Sequence, residues 1–288
     1  MTFEEELRNL AYQSGGSNKT RTNRMSKAAI WANVFSALNI QTKKAKHIHE
    51  KQIRQFIEYR KEIGIIPRTL TNDMAAMRVI LRQDNRSQFA NSKNINNESL
   101  GIAGGSRAGK HKAMSAEAFI KLYSDLESYD KGVAICALLA FHLGLRAQEA
   151  VQSNQSLKTW EKFLLLGRPI RVIFGTKGGR ARDVRVVDIQ SALNAVRAGI
   201  ALLKIQKKKL INKPNLKEAM NRYKYCMTLF GAVGEFSGHS LRCSFAVLRV
   251  DTYVEEGFTI EEAFAQTSMD LGHGDGRGTY IKLVYYKK

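Results

Sequence analysis

Residues 238–242 read Gly238-His239-Ser240-Leu241-Arg242, and the interpretation of the whole chain starts from this stretch. A spacing of three predicts that His239 and Arg242 lie on the same face of a helix. From that face, the imidazole and the guanidinium could converge on a single phosphate, because both groups donate hydrogen bonds to anions. A His and Arg pair alone is weak evidence, so its weight depends on the surrounding residues.

Two further segments and a group of tyrosines add to that pair. Arg146 and Glu149 stand three residues apart after an apolar stretch, a spacing that on its own is more typical of a structural salt bridge. His273 lies in a glycine-rich turn, where an imidazole can approach a ligand closely, although such a turn is more often an ordinary surface loop. Late tyrosines follow, which could equally pack a terminal helix: Tyr280, Tyr285 and Tyr286.

The charge of the chain indicates an acidic partner. The 288 residues carry a formal net charge of +20, which favours nucleic acid. The longest apolar run, residues 132–145, is too short to span a bilayer, and the acidic start of the chain does not resemble a signal peptide. Three cysteines without metal-type spacing are typical of a reducing compartment. We therefore expect a cytoplasmic, nucleoid-associated protein without a membrane partner.

Composition and periodicity predict a division of the chain into domains. Apolar residues at helical spacing predict a small helical domain over residues 20–92, preceded by a flexible N-terminus at residues 1–19. Residues 93–112 are rich in Asn, Ser, Gly and Lys, which is typical of a linker. The larger domain occupies residues 113–288.

The larger domain contains a segment without helical periodicity. The stretches 164–166, 171–174 and 183–187 are β-prone, and glycines between the last two predict a hairpin with Lys177 at its tip. The surrounding segments are helical. The expected fold class is therefore mainly α with a small antiparallel β-sheet.

In their order along the chain, the candidate residues resemble those of the tyrosine recombinase and phage integrase family: Arg146, Lys177, His239, Arg242, His273 and a late tyrosine. The resemblance covers residues 113–288, which it implies to be a catalytic domain. It also implies that the helical domain at residues 20–92 is the family's DNA-binding, core-binding domain. Two features depart from the family's pattern, namely Gln148, where a small residue is common, and a longer, glycine-richer loop after His273.

That loop leaves two candidates for the nucleophilic tyrosine. In most relatives the tyrosine falls nine residues after the histidine, but that position holds Lys282. Tyr280 precedes it, and Tyr285 follows it. We favour Tyr285, because extra glycines lengthen the loop, delay the helix and bring a later residue to the same place.

The resemblance implies DNA strand breakage and rejoining through a covalent 3′-phosphotyrosyl intermediate. It implies that Arg146 and Arg242 stabilise the phosphate and that Lys177 protonates the leaving group. It also implies that His239 assists proton removal from the tyrosine, that His273 contacts the phosphate, and that Glu149 orients the arginines. No metal or cofactor is expected. The implied partners are double-stranded DNA at attachment sites of a mobile element, a homo-tetramer on paired sites, and directionality or DNA-bending factors.

Other functions fit the residues less well. A type IB topoisomerase would share the nucleophile and the cations, whereas a noncatalytic DNA-binding accessory protein would need no such ordered series. Residues 104–110 mimic a phosphate-binding P-loop, but His111 stands where Ser or Thr must bind magnesium. The pair His47 and His49 lacks further ligands for a metal site.

Overall fold

The computed structural model describes residues 1–106, 108–206 and 208–287. The chain divides into two compact units, Met1–Ser106 and Arg107–Lys288. Each unit has a hydrophobic core of its own. No helix in the described residues has the length and apolar character needed to cross a bilayer.

The first unit is helical, and polar caps define where its first helices begin. The Thr2 hydroxyl accepts a hydrogen bond from the backbone amide of Glu5, and the Glu5 carboxylate accepts one from the backbone amide of Thr2. Ser17 caps the second helix. The helices are α1 (Phe3–Gln13), α2 (Asn18–Ala37), α3 (Glu50–Glu62), α4 (Pro67–Gln83) and the single turn α5 (Ser87–Ala90).

A buried ion cluster lies in the core of this unit. The Asp73 carboxylate is fully buried and forms ion pairs with Lys27 Nζ at 2.6 Å and Arg60 Nη2 at 3.0 Å. Its backbone oxygen accepts a hydrogen bond from the indole of Trp31, which stacks on Phe56. A buried carboxylate with two cationic partners fixes how α2, α3 and α4 pack together.

The N-terminal boundary differs from our expectation. Residues 1–19, expected to be flexible, contain α1, which buries Leu7 and Ala11 in the same core as Trp31. The sequence does contain signals for this helix, because Thr2 and Glu5 form a capping box and Phe3, Leu7 and Ala11 recur at helical spacing. The glycines at positions 15 and 16 separate α1 from α2, and both adopt a positive φ.

The expected linker at residues 93–112 is also folded onto the two units. Ile95, Leu100 and Ile102 are buried in the core of the first unit. In the second unit, the Gly109 amide donates to the Leu283 carbonyl at 3.1 Å and the Lys112 amide to the Glu235 carbonyl at 2.9 Å. A polar, glycine-rich composition here reflects turns held by backbone contacts rather than a free tether.

The second unit is mainly helical with a small antiparallel sheet, which confirms the expected fold class. Strands β1 (Ile170–Val172) and β2 (Arg182–Val184) pair with Val172 opposite Arg182. Residues 164–166 are not a strand, because Leu164 is buried on the apolar face of a helix. The helices are α6 (Ala116–Tyr129), α7 (Lys131–Leu143), α8 (Ala147–Val151), α9 (Leu157–Leu165), α10 (Ile189–Ile205), α11 (Leu216–Leu229), α12 (Ser240–Glu255), α13 (Ile260–Asp270) and α14 (Gly278–Val284).

Helix ends in this unit determine where backbone carbonyls are free. Helix α7 ends at Gly144, which has a φ of 60° and packs against the Phe245 ring, so that an added Cβ would meet the ring at 2.4 Å. Helix α13 ends at Asp270, whose carboxylate accepts hydrogen bonds from Tyr253, Arg249 and the Arg185 amide. Both helix C-termini therefore present carbonyl groups at fixed positions.

We expect Asp73→Asn to lower the free energy of unfolding of the first unit by about 3 kcal/mol, because it leaves two cations without their buried partner. Urea unfolding followed by Trp31 fluorescence, in a Trp160→Phe background, measures this. Glu4→Gln is the matched control, since it breaks only the exposed pair with Arg8 and should cost under about 0.5 kcal/mol. Equal, small losses from both variants would contradict the role given to Asp73.

Candidate active site

A buried carboxylate organises the candidate site. Glu149 lies in α8 and is 1% exposed. Arg146 Nη1 and Arg182 Nη1 both donate to Glu149 Oε1, at 2.7 and 2.6 Å, and Arg182 Nη2 donates to Oε2 at 2.7 Å. Arg242 Nη1 lies 3.9 Å from Oε2. Three guanidinium groups thus surround one carboxylate and leave a net positive charge.

The same arginines also bind the free carbonyls of two helix ends. The Gly144 oxygen after α7 accepts hydrogen bonds from Arg242 and Arg182. The Leu271 oxygen after α13 accepts them from Arg146 and Arg242. Because the C-terminus of a helix carries partial negative charge, it stabilises cations held there. Arg242 is fully buried, whereas Arg146 keeps 23% of its side chain exposed and reaches solvent.

Tyr285 lies directly beside this cluster. Its hydroxyl is 3.1 Å from His273 Nε2 and 3.4 Å from Arg242 Nε. Tyr285 is 2% exposed and follows α14, which ends at Val284. The C-terminal helix is therefore shorter than the expected helix running through Tyr285 and Tyr286. The Tyr286 hydroxyl points elsewhere and donates to Asp251.

Two histidines contribute to the other side of the site. His239 begins α12, and its ring centroid lies 5.4 Å from that of Tyr285. His111 stacks edgewise on His239 and shares a hydrogen bond with Ser237 Oγ at 3.1 Å. His273, rather than His239, is the histidine hydrogen-bonded to the Tyr285 hydroxyl, which differs from the roles that the family resemblance implied.

The charges in the cluster shift the pKa values of its members. Burial alone would raise the pKa of Glu149, but Arg182, Arg242 and Arg146 outweigh it and lower the pKa to about 2. Burial lowers the pKa of Arg242 to about 10, assisted by repulsion from Arg182 and Arg146. Both groups therefore remain charged at neutral pH.

The two histidines are held in their neutral form. Burial, followed by repulsion from Arg242, lowers the pKa of His239 to about 4. The same two causes, with Arg146 and Arg182 added, lower the pKa of His273 to about 3. A neutral imidazole retains one nitrogen lone pair that can accept a proton.

The structure brings together six of the residues expected from the sequence: Arg146, Glu149, His239, Arg242, His273 and Tyr285. Lys177 lies on the hairpin turn as expected and is exposed, and within the described parts of the chain it forms no hydrogen bond or ion pair with these six residues. Tyr280 also lies near the cluster, with its ring 4.8 Å from that of His273.

Sequence reasoning missed two residues of this site. Arg182 was assigned only to the region of the hairpin, and His111 was noticed only because it breaks a P-loop pattern. For Arg182 a signal existed in the hairpin prediction. Paired residues of two antiparallel strands lie on the same face, so an arginine opposite the buried Val172 needs a buried partner. No local pattern indicates that His111 contacts His239, which lies 128 residues later.

Among residues 1–106, 108–206 and 208–287, no group of three or more His, Cys, Asp or Glu side chains could hold a metal ion. The cysteines at positions 136, 226 and 243 are buried and unpaired. The cluster offers guanidinium and imidazole groups instead, which bind an anion.

Comparison with known families is consistent with this geometry. The model of the family "Integrase" matches residues 101–248, and that of "Phage integrase, N-terminal" matches residues 1–90. The chain belongs to the integrase family of tyrosine recombinases. It is an enzyme of that class, which breaks and rejoins DNA strands. No curated protein sequence matches this integrase.

Solved structures share the integrase fold. The Tn1549 transposon integrase in complex with transposon right end DNA has a TM-score of 0.60 at 12% identity, over 100% of this chain and 95% of that one. A lambda integrase tetramer bound to a Holliday junction has a TM-score of 0.56 at 12% identity, over 99% and 76% of the two chains. A lambda integrase dimer bound to a COC′ core site has a TM-score of 0.58 at 14% identity, over 99% and 76%.

The buried neutral histidines predict that the second unit loses stability in mild acid. Their folded pKa values lie below the usual 6.5, so the stabilisation is complete above pH 6.5 and declines as pH falls toward 3 to 4. Each histidine contributes up to roughly 1.4 kcal/mol per pH unit in that window. His273→Gln should therefore flatten the dependence between pH 6.5 and 4.5.

Urea unfolding followed by Trp160 fluorescence, in a Trp31→Phe background, measures this slope for the second unit. The matched control is His47→Gln, which removes an exposed histidine of the first unit and should leave the slope unchanged. If the free energy of unfolding depends on pH equally steeply in the wild type and in His273→Gln, then His273 is not buried in its neutral form.

Proposed function

We propose that this integrase recombines DNA at specific attachment sites through a covalent 3′-phosphotyrosyl intermediate, with Tyr285 as the nucleophile. The observation that carries the proposal is the position of the Tyr285 hydroxyl, 3.1 Å from His273 Nε2 and 3.4 Å from Arg242 Nε. A phenol oxygen beside a proton acceptor and a fixed cation suits attack on a phosphodiester.

In the proposed step, the Tyr285 oxygen forms a bond to phosphorus while the bond to the 5′-oxygen of the DNA breaks. Negative charge then increases on the nonbridging oxygens. Arg146 and Arg242 are suited to stabilise it, because both are cations held in place by hydrogen bonds. Glu149 orients the arginines without reacting.

The proton of the phenol must leave as the new bond forms. His273 is neutral, and its Nε2 lies within hydrogen-bond distance of the Tyr285 oxygen. We therefore assign to His273 the role of the base that accepts the phenol proton. An incoming phosphodiester adds negative charge near His273, which offsets the repulsion from the arginines and raises its basicity. We assign His239 to a hydrogen bond with the phosphate.

The 5′-oxygen leaves with a proton, for which Lys177 is the proposed donor. It is exposed on a turn with two glycines of positive φ, from which a long side chain can reach a bound DNA strand. The phosphotyrosyl bond conserves the energy of the phosphodiester, so a second 5′-hydroxyl can reverse the step without an external energy source. Neither a metal nor a cofactor takes part in this scheme.

The proposed partners follow from the same chemistry. In this scheme the first unit, Met1–Ser106, is the core-binding domain and the second unit is the catalytic domain, and both contact double-stranded DNA. Strand exchange between two sites calls for a homo-tetramer, as in the lambda integrase tetramer on a Holliday junction. Directionality or DNA-bending factors would act with it. We propose that a mobile element encodes the protein and that it works on nucleoid DNA in the cytoplasm.

Trapping on a suicide substrate that carries the attachment site tests the proposal. Wild-type protein should form a covalent adduct in the presence of EDTA, visible on a denaturing gel. Tyr285→Phe should form none, and Arg242→Ala should form it at least about 100-fold more slowly, because a fixed cation is lost from the transition state.

Tyr280→Phe is the matched control for the nucleophile, since it removes one hydroxyl from the same region. It should retain the adduct, and loss of the adduct in this variant alone would assign the nucleophile to Tyr280. Absence of an adduct from wild-type protein that binds the site would instead support a noncatalytic DNA-binding protein.

A net charge of +20 predicts that DNA binding depends steeply on salt. If six phosphates are neutralised, the affinity should fall roughly 10³-fold between 50 and 200 mM salt, because counterions are released on binding. Fluorescence anisotropy with labelled duplex DNA measures this, and a salt-insensitive affinity would contradict it.

Relaxation of a supercoiled plasmid that lacks the attachment site would favour a topoisomerase over a recombinase.

A further inference from the structure

The hairpin that carries Lys177 is weakly paired by itself. Its ladder contains only three residue pairs, and the last pair before the turn is Val172 with Arg182. The loop over residues 173–181 lies beyond this ladder. A two-stranded ribbon of this length has little stability in water, so contacts with the rest of the unit must determine where the loop lies.

Arg182 fastens the loop where the chain leaves it. Its side chain is 4% exposed and binds both oxygens of Glu149, while its Nε donates to the Asp270 carbonyl at 3.0 Å. The backbone of Gly272 packs against the same side chain, so an added Cβ there would meet Arg182 Cδ at 2.6 Å. The base of the loop is thereby joined to α8 and to the end of α13.

Gly175 fastens the loop where the chain enters it. It has a φ of 74°, and an added Cβ would lie 2.6 Å from the Gln148 carbonyl oxygen and 2.8 Å from the Glu149 amide nitrogen. The loop backbone therefore packs directly on α8, at the residues that hold Arg146. Only glycine allows both this φ and this close approach.

Lys177 lies between these two anchors, two residues after Gly175 and five residues before Arg182. We infer that Arg182 is a positioning residue for Lys177, which holds the hairpin loop against the arginine cluster so that the lysine reaches the leaving 5′-oxygen. This inference rests on the proposed function. Arg182 acts through the loop and contacts no DNA in this account.

A substrate with sulfur in place of the bridging 5′-oxygen distinguishes this role from general support of the site. A thiolate leaves without receiving a proton, because its pKa is far below that of an alcohol. A variant that has lost only the delivery of the proton should therefore cleave the sulfur substrate normally. A variant in which Arg146 or Arg242 no longer stabilises the phosphate should be slow on both substrates.

We expect Arg182→Met to slow single-turnover cleavage of ordinary DNA by about 10- to 100-fold and to cleave the sulfur substrate within about threefold of wild type. Gly175→Ala should behave in the same way. It disturbs the loop without removing a charge, so it tests the inference even if Arg182→Met fails to fold. Lys177→Ala is the reference, with a loss of about 100-fold or more that the sulfur substrate restores.

One matched control lies in the same hairpin and a second lies just before it. Arg171→Met removes one arginine of β1, whose exposed side chain pairs with Asp183, and Gly167→Ala replaces a glycine of similar φ whose Cβ would meet no atom within 4 Å. Both should cleave both substrates at the wild-type rate.

Equal losses on the two substrates for Arg182→Met or Gly175→Ala, while Lys177→Ala is rescued by sulfur, would overturn this inference alone. Failure of sulfur to rescue Lys177→Ala would show that Lys177 is not the proton donor. In that case, the proposed mechanism loses that role, and the inference fails with it.

Discussion

The buried carboxylate of Glu149 is the constraint on which the second unit depends. Three guanidinium groups could not be brought together in a protein interior by packing alone, because burying unpaired charge costs several kcal/mol per group. One carboxylate at the start of α8 and the carbonyls at the ends of α7 and α13 offset that cost. Because these partners do not neutralise all three arginines, the cluster keeps an excess of positive charge. An anion is therefore the ligand that completes the site.

The positions of the other candidate residues follow from this cluster. Arg242 extends from the first turn of α12, and its Nε donates a hydrogen bond to the Tyr285 hydroxyl. The turn after α13 places His273 Nε2 beside the same hydroxyl. Asp270 holds that helix end against α12, which explains why a carboxylate outside the cluster is also buried. The repulsion that keeps His273 neutral comes from the same arginines. The arginines thus determine both the position of Tyr285 and the low pKa of His273. In the proposed mechanism, a bound phosphodiester would contact these arginines and so affect both.

Patterns of short range were predictable from the sequence, whereas contacts between distant segments were not. The spacing of His239 and Arg242 predicted a helix, and α12 begins at Ser240, directly after His239. The glycines around Lys177 correctly indicated a hairpin. Helix α1 was a short-range pattern that the prediction did not use, since its capping box and apolar spacing are both present in the sequence. Arg182 was missed because its partner Glu149 lies 33 residues earlier. Which late tyrosine meets the cluster also depends on loop geometry, which the order of residues constrains only loosely.

The most direct test is to identify the tyrosine that carries DNA in the trapped adduct. Cleavage with trypsin after Lys282 and Lys287 separates residues 278–282, with Tyr280, from residues 283–287, with Tyr285. Nuclease trimming and tandem mass spectrometry then locate the attached nucleotide. We expect a nucleotide on Tyr285 in the second peptide, because the Tyr285 hydroxyl lies within hydrogen-bond distance of His273 and Arg242. A nucleotide on Tyr280 would contradict it and would mean that the cluster meets the DNA through a different arrangement of the C-terminal segment.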